Sequence, residues 1–211
     1  MEKYDIYLFD FDGTLFNTLP ALKMVFKNSY KEYGVDVSDE ECLQFSREPL
    51  PDSYQRKGLK MDVFWDFVKV INFYLNGEES ARLTETYDDT EIFHQYVLDH
   101  DIKMGVVTSN NIPHVKDIYR VKNIDCSNFV VFVGNQEAPT PKPDPEPINK
   151  ALELMNYQGD LKKVVYIGDS LYDCLAATRA GISTYLLDRD NAFKDAPYEI
   201  IHSLMDLFKE V

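Results

Sequence analysis

Two aspartates one residue apart, Asp10 and Asp12, stand where an apolar run, Ile6 to Phe9, comes to a stop. In extended backbone such side chains point the same way. Gly13 and Thr14 follow, and Gly13 permits a turn that other residues resist. Unpaired acids beside a buried strand are costly, so this placement suits chemistry better than packing. Other reactive residues sit at similar stops: Thr108 and Ser109 after Ile102–Val107, and Asp169 and Asp173 after Val164–Ile167. Lys142 follows the apolar run Phe129–Val133 in a proline-rich stretch. Gathered on one edge, these are four carboxylates, a hydroxyl and a lysine. Two like charges at about 4 Å repel by roughly 4 kcal/mol at an effective dielectric of 20. One lysine cannot offset several such terms, so either some acids are protonated or a divalent cation sits among them. Hard oxygens with no His or Cys nearby suit magnesium.

What must gather them is a parallel sheet. Apolar strands are predicted at 4–10, 102–107, 129–133, 164–167 and 184–187, with a short sixth at Ile200–Ile201. Helices are expected between them, over 91–99, from Pro113 to about Val121, up to Met155, and after a Ser170 cap to Gly181; a last one covers 203–209. Alternating helices and continuous apolar strands mean a parallel sheet covered on both faces. Its strands would all present their C-terminal ends on one edge, where ligands bind.

Residues 17–87 lack strand alternation and read as all-helical. Thr18 is placed to cap the first helix, Ser38 and Glu41 have capping-box spacing, and Met61–Leu75 is a long helix apolar on more than one face. Its aromatics Phe64, Trp65, Phe67, Phe73 and Tyr74 are expected in the core of a small bundle. The fold class is therefore α/β: a Rossmann-like doubly wound parallel sheet core, 1–16 and 88–211, with an inserted all-helical cap domain at 17–87.

The quoted segments, Asp10-Phe11-Asp12-Gly13-Thr14-Leu15, Val106-Val107-Thr108-Ser109, Lys142-Pro143-Asp144-Pro145 and Gly168-Asp169-Ser170-Leu171-Tyr172-Asp173, resemble the four motifs of the haloacid dehalogenase superfamily, in order. The helical insert resembles the cap of its phosphoglycolate phosphatase and beta-phosphoglucomutase branch. The resemblance implies Asp10 as a nucleophile forming an aspartyl phosphate, and Asp12 as proton donor and then base. It implies Mg2+ held by Asp10, the Asp12 carbonyl and Asp169, with Asp173 acting mostly through water. Thr108 and the Ser109 N–H would grip phosphate, and Lys142 would neutralise charge. The second acid, Asp12, points to a phosphatase or phosphomutase rather than a dehalogenase. Ser109 stands where related phosphatases often have asparagine, a change that a backbone contact survives.

The expected activity is magnesium-dependent hydrolysis of a small phosphomonoester. A phosphosugar mutase and a pyrophosphatase are variants of the same site, and a non-catalytic phosphate-binding module is the alternative of a different class. In the cap, Arg47 is a candidate grip on a distal anionic group of the substrate, with surface charge as its plainer reading. Arg56 and Lys57 are also read as surface charge.

The balance of 22 Lys+Arg against 36 Asp+Glu, net −14, argues against nucleic acid or anionic membrane as partners. The expected partner is a small phosphorylated metabolite; the sequence carries no signal for oligomeric state. Three scattered cysteines without a CxxC pattern argue against a zinc or disulfide framework and fit a reducing cytoplasm. No signal peptide and no run long enough to span a bilayer are visible. None of the four histidines has ligand spacing, and none is assigned a role.

Overall fold

The structure is a computed structural model that describes residues 4–46 and 48–209. Six strands form one sheet: β1 (Ile6–Phe9), β2 (Met104–Val107), β3 (Phe129–Val133), β4 (Val164–Gly168), β5 (Ser183–Leu187) and β6 (Glu199–Ile201). Their order is β3-β2-β1-β4-β5-β6, with every neighbouring pair parallel. The chain moves outward from β1 to β3 and then returns to β1's other side. The order therefore reverses between β1 and β4, which is where an open parallel sheet forms its ligand crevice.

The chain divides into two compact units, one running to Phe16 and resuming at Thr86, the other Asn17–Glu85. In the sheet unit, β1 is buried along its whole length and its residues alternate between faces. Ile6 and Leu8 pack with Ile148, Ala151, Ala176 and Ala177 of helices α8 (Glu146–Leu154) and α9 (Leu171–Ala180). Phe9 faces the other way, 5.2 Å from the Phe93 ring of α6 (Thr90–Asp99) and 6.5 Å from Phe129. A seventh helix, α7 (Ile112–Lys122), adds Tyr119 to this aromatic layer. The C-terminal segment expected as an α-helix is a 3-10 turn, Leu204–Phe208, held by a Ser203–Asp206 capping box.

The other unit contains α1 (Leu19–Glu32), α2 (Asp39–Phe45), α3 (Leu50–Arg56), α4 (Phe64–Leu75) and α5 (Glu78–Leu83). Its two ends are stapled together: Asn17 and Glu85 exchange two backbone hydrogen bonds of 2.9 Å. Ser38 and Glu41 form the expected capping box. Thr18 makes no side-chain cap; Asn17 Oδ1 instead accepts from the Leu19 N–H at 3.3 Å. Met61–Val63 is a 3-10 turn, so the long helix starts only at Phe64.

The expectation that all the aromatics of α4 lie in the bundle core is corrected for Trp65 and Phe73. Phe64, Phe67 and Ile71, at helical spacing, form its one buried face, while Trp65 and Phe73 are 72% and 73% exposed. Positions eight apart fall on a common face, and here that face is the outward one. No described helix is long and apolar enough to cross a membrane.

Candidate active site

Asp10 continues the alternation of Ile6 and Leu8, so it leaves β1 on the α8/α9 side. Its backbone N–H donates to Ile167 O at 2.8 Å, which fixes it against the end of β4. β4 then ends in Gly168-Asp169-Ser170, and Ser170 caps α9. Both glycines at these strand ends are required by close approach. Gly13 has φ +77°, and a Cβ there would overlap the Asp169 carboxylate; a Cβ on Gly168 would overlap Asp173. Backbone without side chains is what lets the acids crowd together.

Lys142 comes from the loop before α8. Arg179 of α9 donates to Pro143 O at 2.9 Å, and Asp144 Oδ1 accepts from the Glu146 N–H at 2.9 Å, so the loop is tied just after its lysine–proline step. That step is a cis peptide. The ammonium donates to Asp10 Oδ1 at 2.6 Å, Asp173 Oδ1 at 2.5 Å and the Tyr166 hydroxyl at 3.0 Å. The other Asp173 oxygen accepts from the Ser170 hydroxyl at 2.5 Å and from its N–H at 3.1 Å. Asp173 is thus both the acid of a capping box and a partner of Lys142.

The electrostatics follow from burial. Asp10 is held well above the usual carboxylate range by burial first; Lys142 opposes the shift, while Asp173, Asp169 and Asp12 add to it. Burial and then Asp173 push Asp169 up to about 7. Burial would lower the Lys142 ammonium, but Asp10 and Asp173 outweigh it and hold it well above its usual value. Oxygens of Asp10, Asp169 and Asp173 lie within 4.8 Å of one another and could hold a metal ion. All are hard oxygens, so the donor set fits magnesium. The Asp12 carboxylate is not in this group; it accepts from the Thr108 hydroxyl at 3.3 Å.

Thr108 and Ser109 follow β2, next to β1 in the sheet. The Thr108 hydroxyl also accepts from the Asn110 N–H at 3.0 Å, and Ser109 is exposed. Asp10, Lys142, Asp169 and Asp173 are therefore brought into one knot, with Asp12 joined to Thr108 beside it. Arg47 lies outside the described residues.

Sequence reasoning missed Tyr166. Fully buried in β4, its hydroxyl donates to Val107 O at 2.8 Å while accepting from Lys142. A signal existed: a tyrosine in a fully buried strand must find its hydroxyl a partner, and Tyr166 lies three residues before Asp169.

Comparison with known proteins converges on one group. A relative from Caldanaerobacter subterraneus subsp. tengcongensis, provisionally named pyrophosphatase PpaX, is 29% identical over 98% of this chain and 94% of its own length. Pyrophosphatase PpaX of Oceanobacillus iheyensis is 25% identical over 84% and 80%. Among solved structures, a provisionally named haloacid dehalogenase-like hydrolase from Bacteroides fragilis superposes with a TM-score of 0.84 at 23% identity, over 97% of this chain and 99% of that one. A provisionally named phosphoglycolate phosphatase from Lactobacillus plantarum gives 0.82 at 22%, over 99% of each. At such identities the structures speak for the fold alone. The haloacid dehalogenase-like hydrolase model matches residues 7–187, most of the sheet unit up to the end of β5 and all of the insert, and the chain belongs to that family.

Proposed function

We propose that the chain is a magnesium-dependent phosphatase acting on a small phosphomonoester through an aspartyl phosphate on Asp10. The observation that carries this reading is the Lys142 ammonium bonded to Asp10 at 2.6 Å, at the point where the strand order reverses. An acid paired with a buried cation beside further acids is arranged to meet an anion.

In the first step an Asp10 oxygen attacks phosphorus and the bond to the leaving oxygen breaks. Asp12 gives that oxygen a proton, so an alcohol departs. In the second step water attacks the phosphoryl group, Asp12 takes its proton, and the Asp10–phosphorus bond breaks to return the carboxylate and release phosphate. Lys142 holds the Asp10 carboxylate in place and balances the incoming charge. The Thr108 hydroxyl and the Ser109 N–H supply donors to phosphoryl oxygens. Asp10, the Asp12 carbonyl and Asp169, with Asp173 through water, would hold Mg2+, whose charge would offset repulsion between the carboxylate and the phosphoryl group. Tyr166 orients Lys142 from below. The helical unit is read as the cap that selects the metabolite. The free thiols of Cys42, Cys126 and Cys174 go with a cytoplasmic setting.

Pyrophosphate is the second substrate reading, supported by the names of the PpaX relatives. A phosphate-release panel of 4-nitrophenyl phosphate, phosphosugars, phosphoglycolate, nucleotides and pyrophosphate, with Mg2+ and with chelator, separates the two. Asp10→Asn is expected to lower turnover by at least about 10³-fold, within the span that covalent and acid–base groups supply. Unchanged turnover in that variant, or no hydrolysis across the panel, would sink the reading.

A further inference from the structure

Arg189, just beyond β5, has no part in the chemistry above, yet it reaches back to the turn that carries Asp12. Its Nη2 donates to the Thr14 carbonyl at 3.0 Å. Its Nη1 lies 3.0 Å from Asp89 Oδ1, an ion pair rather than an aligned hydrogen bond. The guanidinium sits 3.9 Å from the centre of the Tyr87 ring. Both charged side chains are largely buried. Asp89 is itself held by the Ser203 hydroxyl and the Leu204 N–H, each at 2.7 Å. The guanidinium is therefore aimed by a fixed anion and a ring at one backbone carbonyl.

That carbonyl belongs to a tight turn. Gly13 N–H donates to Phe16 O at 2.9 Å and Leu15 N–H to Phe11 O at 3.0 Å. Two carbonyls within this turn are met by side chains from elsewhere: Thr14 O by Arg189, and Leu15 O by the Thr90 hydroxyl at 3.0 Å. A buried ion pair is a weak device for stability, since hydrocarbon of equal volume often does as well. What a guanidinium adds is a rigid planar fork that serves two acceptors in a set geometry; an ammonium cannot reproduce it. Here the guanidinium hydrogen-bonds the segment after β1 through Nη2, while its charge faces Asp89 at the start of α6 and, through Asp89, the C-terminal turn.

We propose that Arg189 is a positioning residue for Asp12, holding the Asp12–Gly13–Thr14 turn so that the carboxyl meets the leaving oxygen. The inference rests on the reading of Asp12 as proton donor. Proton donation matters most when the leaving group is a poor one, so misplacing Asp12 penalises alkyl esters and spares aryl esters. A purely structural role would change both alike.

The experiment compares kcat/KM of wild type, Arg189→Lys and Asp89→Asn on 4-nitrophenyl phosphate and on the alkyl phosphate that wild type hydrolyses best. kcat/KM reports the step in which the leaving group departs. Arg189→Lys keeps the charge and loses the fork; the expected result is a fall of at least about tenfold on the alkyl ester and under about threefold on the aryl ester, part of the 10²–10⁴-fold that a placed proton donor supplies. Asp89→Asn keeps an oxygen for Ser203 and Leu204 but loosens the aim of Arg189, so it should show the same pattern at smaller size, and it carries the test should the lysine variant not fold. Equal losses on both esters, or none, in a folded variant would overturn the inference. Failure of wild type to hydrolyse either ester would instead remove the phosphatase reading, and the inference with it.

Discussion

The two units handle charge in opposite ways. In the sheet unit, Lys142 and its partners Asp10 and Asp173 are 9%, 10% and 2% exposed, and the Arg189–Asp89 pair is nearly as covered. In the helical unit, Lys23 and Lys27 share Asp39 at the surface, and Lys69–Asp66 and Arg82–Glu78 are more exposed still. The helical unit buries rings instead. Tyr30, Phe45, Tyr54 and Phe67 pack with centroids 4.8–5.4 Å apart, and among them the Tyr30 hydroxyl donates to Ser53 Oγ at 3.2 Å. Buried charge adds little net stability against hydrocarbon, whereas packed rings add a good deal. Both units therefore bury rings, and the sheet unit, in contrast to these surface pairs, buries ion pairs as well.

Three variants test this division. The largest effect is expected for Lys142→Met, which leaves two buried carboxylates facing each other without their cation. Turnover should fall by at least about 10²–10³-fold, as for loss of one preorganised charge-stabilising group; steady-state kinetics on the substrate found in the panel checks it, and near wild-type turnover would place this lysine outside the chemistry. Phe67→Ala is the next in size. Loss of a fully buried ring should destabilise the helical unit by about 3–5 kcal/mol, read from denaturant midpoints. A small shift would mean that the cluster re-packs around the gap. The smallest concerns Asp39, whose carboxyl is lowered to about 2 by hydrogen bonds from Lys23 and Lys27. A depressed folded value means a contribution that is complete above the ordinary value of about 4 and lost as pH falls towards 2. The stability gap between wild type and Asp39→Asn should accordingly close over that interval and narrow with added salt. A gap constant from pH 6 to 2 would show that the pair contributes no charge-dependent stability.

Much of the sheet unit was legible because its signals are local. Runs such as Val164–Ile167 and Phe129–Val133 are too apolar for a surface, and the residues that end them are polar and distinct. The parallel arrangement then converts strand ends into neighbours, which is how Asp10, Asp169 and Asp173 could be grouped from positions far apart in the chain. Partners that depend on three-dimensional reach were not legible. Tyr166 lies in a run read only as an apolar strand, and no motif marks the reach of Arg189 from beyond β5 to the Thr14 carbonyl. In the helical unit, α4 misled because its sequence is apolar almost all round. Phe73 follows Lys69 by one turn and Asp66 by two, on the face those charges keep in water, whereas Phe67 shares the face of Phe64 and Ile71 that meets the rings of Tyr30 and Tyr54. Thr18 likewise had the right type and position for a cap, but its φ and ψ of −90° and −3° are not those of a residue whose side chain folds back over a helix start.

The pairing of β1 has a consequence for how the molecule comes into being. Ile6 lies opposite Val164, and Tyr7 opposite both Met104 and Val165. During synthesis β1 emerges long before either neighbour exists, and its apolar residues must stay out of trouble until β4 has left the ribosome. The helical unit is continuous in sequence and stapled at its ends by Asn17 and Glu85, so it can form in the interval. The sheet closes over large sequence separations, the class of contact that slows folding. The chain's strong negative charge favours keeping such an intermediate dispersed.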